Sequence, residues 1–433
     1  MKRTVKVGLI GFGTVGAGVA KILLDGGKPH MRGRDFDVEL VRIADLDIVT
    51  DRGVDTNACM LTTDAAAVLD DPDIDIVVEL IGGYEPARSF TLRAFENGKS
   101  IVTANKALIA LHGSELFEKA TAADAWYMFE ASVGGGIPIL RGLLNGLNAN
   151  RLESVHGILN GTTNYILTGM ARDGSDYDDV LKRAQKLGYA EADPTSDVSG
   201  GDALNKLVIL SRLAFGANLN LDDVYCEGIE KITIRDIRYA AELGFTVKLL
   251  AIAKRHGDGR IQARVHPTLV PAGSMMAAVE DEFNAVEIFG DAVGREIFYG
   301  KGAGKMPTAS AVVSDIMDIA SGFIGGAPSN VKRILASDSL AELVDIGELD
   351  MRYYLRFSVA DRPGVLSRIA QVFADEGISI ESVIQKGAED TKSVPIVIMT
   401  HAARERAMAK AMQRFGELDV VRGPVQLIRV EDL

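Results

Sequence analysis

The sequence is poor in residues that staple a fold or wire it to a metal. It has 2 cysteines in 433 residues, Cys59 and Cys226, far apart and without metal-ligand spacing. That excludes a disulfide framework and indicates a reducing, cytoplasmic setting in which both thiols act as small hydrophobes. Neither cysteine sits in a nucleophile motif, so thioester chemistry on an aldehyde is not indicated. No zinc-type cluster of ligands is visible, and any proton transfer must fall to a side chain. Basic charge is scarce too, with 47 Lys and Arg against 60 Asp and Glu and a net charge of −13. This excludes a basic stripe for nucleic acid or an anionic membrane, although a local nest of donors can still hold a small anion. No run approaches the roughly eighteen apolar residues of a membrane span. The opening MKRTVKVGLIGFG is too short and too glycine-broken for a signal peptide.

What remains is an ordinary globular balance, 47% hydrophobic and 25% charged, in a chain long enough for roughly two to four domains. Thr4–Ile10 reads as a strand. Gly11-Phe12-Gly13-Thr14-Val15-Gly16 follows at once, then a helical pattern through Val19, Ile22 and Leu23. Strand, G-x-G-x-x-G and helix form the dinucleotide fingerprint in its required context. Gly11 permits the turn, Gly13 admits the pyrophosphate, Gly16 lets helix and strand pack, and the helix N-terminus faces the anion. A second strand, Val38–Ala44, ends at Asp45, placed to take ribose hydroxyls, which favours NAD over NADP. The insert GGKPHMRGRDF before it is expected to be a loop. Arg42 or Arg52 could still serve a 2′-phosphate. The alternative for Asp45 is a solvated strand end.

Ile74–Gly83 is an apolar run feeding a glycine pair, read as a buried parallel strand. A helix over Glu85–Asn97 and a strand over Ser100–Val102 lead to Thr103-Ala104-Asn105-Lys106. Ligands of open α/β sheets sit at the carboxyl ends of strands, which makes Lys106 a candidate rather than a merely solvated lysine. Ala125–Val133 reads as another strand before three glycines.

The most informative stretch is Gly188–Leu207, GYAEADPTSDVSGGDALNKL, an acidic glycine-rich loop running into an apolar helix. Asp202 and Lys206 are four apart, on one helix face. Taken alone, the pair reads equally as a salt bridge in a first turn.

This stretch closely resembles the signature of homoserine dehydrogenases, monofunctional ones with a C-terminal ACT domain. The resemblance implies an enzyme that interconverts L-homoserine and L-aspartate 4-semialdehyde with NAD or NADP. It implies Lys206 as acid/base, Lys106 as the partner that polarises the oxygen, and Glu191 and Asp202 as holders of the substrate ammonium. Two converging lysines lower each other's pKa, which suits proton transfer. Thr103-Ala104-Asn105-Lys106 also fits the family pattern, and Lys106, Gly188 and Gly302 are implied beside the cofactor. Glu130-Ala-Ser-Val-Gly-Gly-Gly-Ile resembles the family's monovalent-cation loop, implying Glu130, Val133, Gly135 and Ile137 around sodium; oxygen ligands suit a hard cation.

The middle of the chain reads as a mixed sheet with helices, from Leu152–Thr168, Ile229–Ile232, Phe245–Ala253, Ile261–Leu269, Val286–Phe289 and Glu296–Tyr299. His156 is read as structural. Gly300–Thr308 precedes a helix over Ala309–Ala320 but lacks P-loop spacing, so triphosphate hydrolysis is not supported. Gly325–Gly347 reads as a linker. From Tyr353 the order is β-α-β-β-α-β, ferredoxin-like, and DRPGVLSRIAQVFADEGISIESV resembles an ACT domain. A threonine effector is expected at Asp361–Leu366; the alternative is a dimerisation unit.

The expected fold is α/β: a Rossmann-type domain at 1–135 completed by about 303–325, an α+β substrate and dimerisation domain at 136–302, a linker at 326–350 and an ACT domain at 351–433. A homodimer or homotetramer is expected, with no nucleic acid and no membrane. Two readings compete with the enzyme. A non-catalytic dinucleotide sensor would bind cofactor without turnover, and a related amino-acid dehydrogenase would act on another substrate.

Overall fold

The computed structural model describes residues 2–24, 34–327, 329–331, 334, 339–385 and 393–433. Most of the insert before the second strand, and part of the expected linker, lie outside them. The chain divides into two compact units, one of Met1–Val155, Asn205–Leu221 and Asn284–Ala341, the other of His156–Leu204, Asp222–Phe283 and Glu342–Leu433.

The first unit opens with β1 (Arg3–Ile10), α1 (Thr14–Leu24), β2 (Phe36–Ala44), β3 (Met60–Thr62), α2 (Ala66–Leu69) and β4 (Ile76–Glu79). It continues through α3 (Ala87–Glu96), β5 (Ser100–Thr103), α4 (Lys106–Ala122) and β6 (Tyr127–Met128). The six strands form a parallel sheet in the order β3-β2-β1-β4-β5-β6. This is the doubly wound order, with its switch point beside β1. Val5, Val7, Leu9, Ile76 and Val78 are all sealed from solvent, as expected for strands covered on both faces. Helix Lys305–Gly325 returns late in the chain and packs on α1 through Ala309, Val312 and Ile316. A Cβ on Gly18 would stand 2.8 Å from that of Ala309, so the two helices meet through small residues.

Two expected strands differ. Ala125–Val133 pairs only at β6, and Glu130–Ser132 coils into a 3₁₀ turn. The Ser132 hydroxyl donates to the Phe129 carbonyl, and Gly134 and Gly135 take positive φ, so the backbone leaves the sheet. Ile229–Ile232 is a turn: Ile232 N–H donates to Ile229 C=O, and Thr233 then opens helix Ile234–Glu242 with a capping box.

In the second unit, Phe245–Arg255 and Ile261–Pro271 form a long antiparallel pair. Strand Gln426–Val430 joins the outer edge of Ile261–Pro271 in parallel, through Thr268 with Arg429 and Leu269 with Val430. Beyond it come Asp350–Val359, Val394–Thr400 and Ile380–Gln385. With helices Val365–Asp375 and Glu405–Glu417 these make the ferredoxin-like tail around a core of Phe357, Phe373 and Phe415. The tail's sheet is thus continuous with the sheet before it, and buried ion pairs join the two. Arg356 binds Asp236, which is fully buried, and Arg429 lies between Glu405 and Glu227. His156 is buried and packs 3.7 Å from Glu431, a structural position. Among the described residues no helix is long and apolar enough to cross a membrane.

Candidate active site

In the loop between β1 and α1, Gly11 and Gly16 hold the tight turn and the close helix packing that the spacing predicts. Gly11 has φ +102°, and a Cβ there would lie 2.6 Å from the Leu80 backbone. A Cβ on Gly16 would stand 2.0 Å from the Gly11 carbonyl oxygen, so only glycine lets α1 start this close to β1. Gly13 has nothing within 4 Å of a built Cβ. The open side of the loop is therefore the side at which a pyrophosphate would approach the N–H groups of Thr14 and Val15.

Asp45, at the end of β2, turns towards this loop. Its carboxylate accepts the Phe12 N–H at 2.5 Å and the Asp47 N–H at 2.8 Å. It therefore shapes the turn between β1 and α1. Asp47 accepts from Val49, Thr50 and Arg52. The hydrogen bonds from Thr50 are the main reason its pKa falls to about 2. The Arg52 guanidinium lies 5.8 Å from the Phe12 ring centroid, which puts a cation beside the acid.

At the ends of β4 and β5 a buried polar relay sets the position of Lys106. Glu79 is sealed from solvent and accepts from the Thr103 hydroxyl at 2.7 Å and from the N–H groups of Ile81 and Gly82. Burial raises its pKa. Thr103 accepts the Asn105 N–H. Asn105 donates to the Gly83 carbonyl and caps α4 through Leu108 N–H. Lys106 is the first residue of that helix and half-buried. Sequence reasoning missed Glu79; its signal was one acid ending an apolar strand.

The loop from Glu130 to Ile137 turns through Gly134 at φ +71° and Gly135 at φ +53°. The Glu130 carboxylate accepts from Leu140 and Arg141 N–H at 2.9 and 2.8 Å and so caps the turn at Ile139–Arg141. The return segment lies against this loop. Gly136 N–H donates to the Lys301 carbonyl, and a Cβ on Gly135 would come within 2.5 Å of the Gly302 oxygen.

Lys206 lies on helix Gly201–Phe215, is only 8% exposed, and belongs to the same unit as Lys106. One turn earlier on the helix, Asp202 is 5% exposed. In the second unit the Asn160 amide donates to Asp202 at 2.9 Å and to Asp197 at 2.8 Å, while its oxygen caps helix Gly161–Asp173. Asn160 is a second residue that sequence reasoning passed over. Glu191 is exposed, in a turn that Gln185 braces through the Glu191 and Ala192 carbonyls. Gly188 ends helix Tyr177–Leu187 at φ +78°. Its glycine has that structural reason whatever else it does.

A doubly wound nucleotide domain, a mixed-sheet domain carrying an acidic loop and a ferredoxin-like tail define an NAD(P)-dependent oxidoreductase with a regulatory module. Comparison with known proteins sharpens this. Residues 11–130 match "Homoserine dehydrogenase, NAD binding domain", residues 138–317 match "Homoserine dehydrogenase" and residues 353–419 match "ACT domain". Homoserine dehydrogenase of Pseudomonas aeruginosa is 44% identical over the full length of both chains. That of Neisseria gonorrhoeae is 43% identical over 100% of this chain and 99% of its own. The crystal structure of a homoserine dehydrogenase from Thiobacillus denitrificans superposes with TM-score 0.94 at 43% identity, covering 100% of this chain and 99% of that one. The chain belongs to the homoserine dehydrogenase family. It is an enzyme that interconverts L-homoserine and L-aspartate 4-semialdehyde with a nicotinamide cofactor, and the sensor reading gives way.

Proposed function

We propose that Lys206 is the acid/base of this reaction and that Lys106 polarises the substrate oxygen. A bound nicotinamide would supply the hydride acceptor or donor for C4 of homoserine. In oxidation Lys206, as the free amine, takes the C4 hydroxyl proton while the C–O bond becomes a carbonyl. In reverse, the Lys206 ammonium protonates the forming alkoxide. Asp202 and Glu191 hold the substrate's ammonium. The observation that carries this reading is the burial of Lys206 on an apolar helix, one turn after an Asp anchored by Asn160. A buried amine on this helix is placed to exchange a proton with a substrate hydroxyl.

For the cofactor, Gly11, Phe12, Gly13, Thr14, Val15 and Gly16 form the pyrophosphate loop and Asp45 takes the ribose. Gly188 and Gly302 border the cofactor. Asp45 favours NAD, and Arg52 provides a cation for a 2′-phosphate, so we assign use of both cofactors. An archaeal relative at 26% identity is described in complex with NADPH. Sodium is assigned to Glu130, Val133, Gly135 and Ile137, where it fixes the loop against the return segment. The ACT module takes threonine at Asp361–Leu366. The enzyme acts in the cytoplasm as a homodimer or homotetramer, with functional domains at 1–135, 136–302 and 351–433.

The test is full-length protein with L-aspartate 4-semialdehyde and NADH or NADPH, following loss of reduced cofactor with and without threonine. Turnover with both cofactors, slowed by threonine, is expected. Turnover with one cofactor alone overturns the dual assignment, and indifference to threonine overturns the effector.

A further inference from the structure

The first unit holds a cavity of about 560 Å³ that none of the fingerprint glycines, Asp45, Lys106 or Lys206 lines. This is the size of a small-molecule site. Part of the lining is apolar: Trp126, Met128, Leu140 and Leu144. Another part carries three carboxyl groups, Glu130, Asp315 and Asp318, and one guanidinium, Arg141.

The charges on that part do not balance. Arg141 is shared between Asp315 at 3.1 Å and Asp318 at 2.9 Å. Asp315 is fully buried and also accepts the Glu130 N–H at 2.9 Å. Glu130, assigned to sodium above, accepts the N–H groups of Leu140 and Arg141 and is left out of this balance. The next cation, Arg34, reaches Ser321 at 3.3 Å.

A second observation is independent of the acids. Ser329 lines the cavity, is 5% exposed, and its hydroxyl has no hydrogen-bond partner among the described residues; Arg141 Nε lacks one among them too. Buried polar groups left without partners cost free energy and call for an explanation. Among the described residues no group of three or more His, Cys, Asp or Glu could hold a metal ion of that ligand type. The apolar part of the lining argues for an organic body.

We propose that this cavity binds a small organic ammonium, its charge against Asp318 and Asp315 and its apolar part on Trp126 and Leu144. Asp318, with 43% of its side chain exposed, is the entry-side carboxylate. The indole adds a cation–π face. The site is independent of the hydride-transfer assignment, although it lies on helix Lys305–Gly325, whose other residues pack against α1.

Trp126 is the only tryptophan in the sequence, so its emission reports on the cavity directly. Titrating the full chain with n-pentylammonium chloride should change that emission saturably, with a dissociation constant on the order of 1 mM for so small a ligand. The uncharged isostere 1-pentanol should bind about ten-fold more weakly, the worth of one charge-assisted contact. Asp318→Asn should weaken pentylammonium binding about ten-fold with little change in melting temperature, since the residue is part-exposed. Leu144→Phe, which narrows the apolar part of the lining, should weaken both probes if the first variant folds poorly. Equal response to both probes, or unchanged binding in both variants, overturns the proposal. So does an emission that shifts only with protein concentration, because a second copy would then cover the cavity.

Discussion

Arg429→Met should loosen the seam at which the tail's sheet joins the sheet before it. Arg429 is 4% exposed and pairs across the strand register with Thr268. Its guanidinium donates to Glu227 at 2.9 Å, to Tyr225 at 3.1 Å and to both oxygens of Glu405, and stacks 4.7 Å from the Tyr225 ring centroid. Met preserves the apolar stem and removes the charge. Glu405 then keeps only the Tyr353 hydroxyl at 2.8 Å among its charge-stabilising contacts. Removing one partner of a buried pair costs about 3–5 kcal/mol. Glu227 can regain water, its side chain being 25% exposed, so the lower end of that range, about 3 kcal/mol, is expected. For a unit of this size that is a fall of about 6–12 °C in melting temperature. Urea denaturation followed by circular dichroism measures it, and adding Glu405→Gln should restore part of the loss, because the stranded charge goes with it. A loss below about 1 kcal/mol, or no recovery in the double variant, would refute the idea that this ion pair holds the seam.

Gly13→Ala should leave stability within about 0.5 kcal/mol of the parent, because nothing lies within 4 Å of the added methyl. It should weaken cofactor binding by about ten-fold or more, whereas Gly16→Ala, with its Cβ 2.0 Å from a carbonyl, should displace α1 and cost up to about a hundred-fold; fluorescence titration with NADH separates them. Arg52→Leu should raise KM for NADPH about ten-fold and leave NADH nearly unchanged, and steady-state kinetics with both cofactors decides it. Lys248 is 2% exposed and donates to Asn164 and to the Val279 carbonyl. Burial lowers its pKa from 10.5 to about 8. Between those values the unfolded chain holds the proton and the folded chain does not, so raising pH favours folding. Lys248 should therefore add up to about 3 kcal/mol of stability as pH rises through this window. Urea midpoints at pH 8 and 10 should rise less in Lys248→Met than in the parent; equal rises would contradict the assignment.

The parts of the fold that were readable in the sequence are those coded locally. The glycine loop and the ferredoxin-like tail each follow from a few adjacent residues. Even there, local reading overextended the strand at Ala125–Val133, because nothing short-range announced that Gly134 and Gly135 would turn the chain out of the sheet. Ile229–Ile232 looked like a strand for the same reason: four residues of mixed polarity do not reveal that a capping box follows. What stayed hidden depends on partners distant in sequence. Glu79 matters because Thr103 and Asn105 fold onto it, and Arg429 because Glu227 lies 202 residues away. Asp45 reads in the sequence as a candidate strand-end acid, but its hold on Phe12 N–H emerges only when β2 lies beside β1.

The assignment of Lys206 as acid/base is tested most directly by turnover of Lys206→Ala with L-aspartate 4-semialdehyde, beside a direct measurement of cofactor affinity. Loss of a general acid should lower kcat by at least about a hundred-fold while the dissociation constant for NADPH stays within about two-fold. A variant that turns over at near-parental rate, or one whose loss is explained entirely by failure to bind cofactor, would contradict the account.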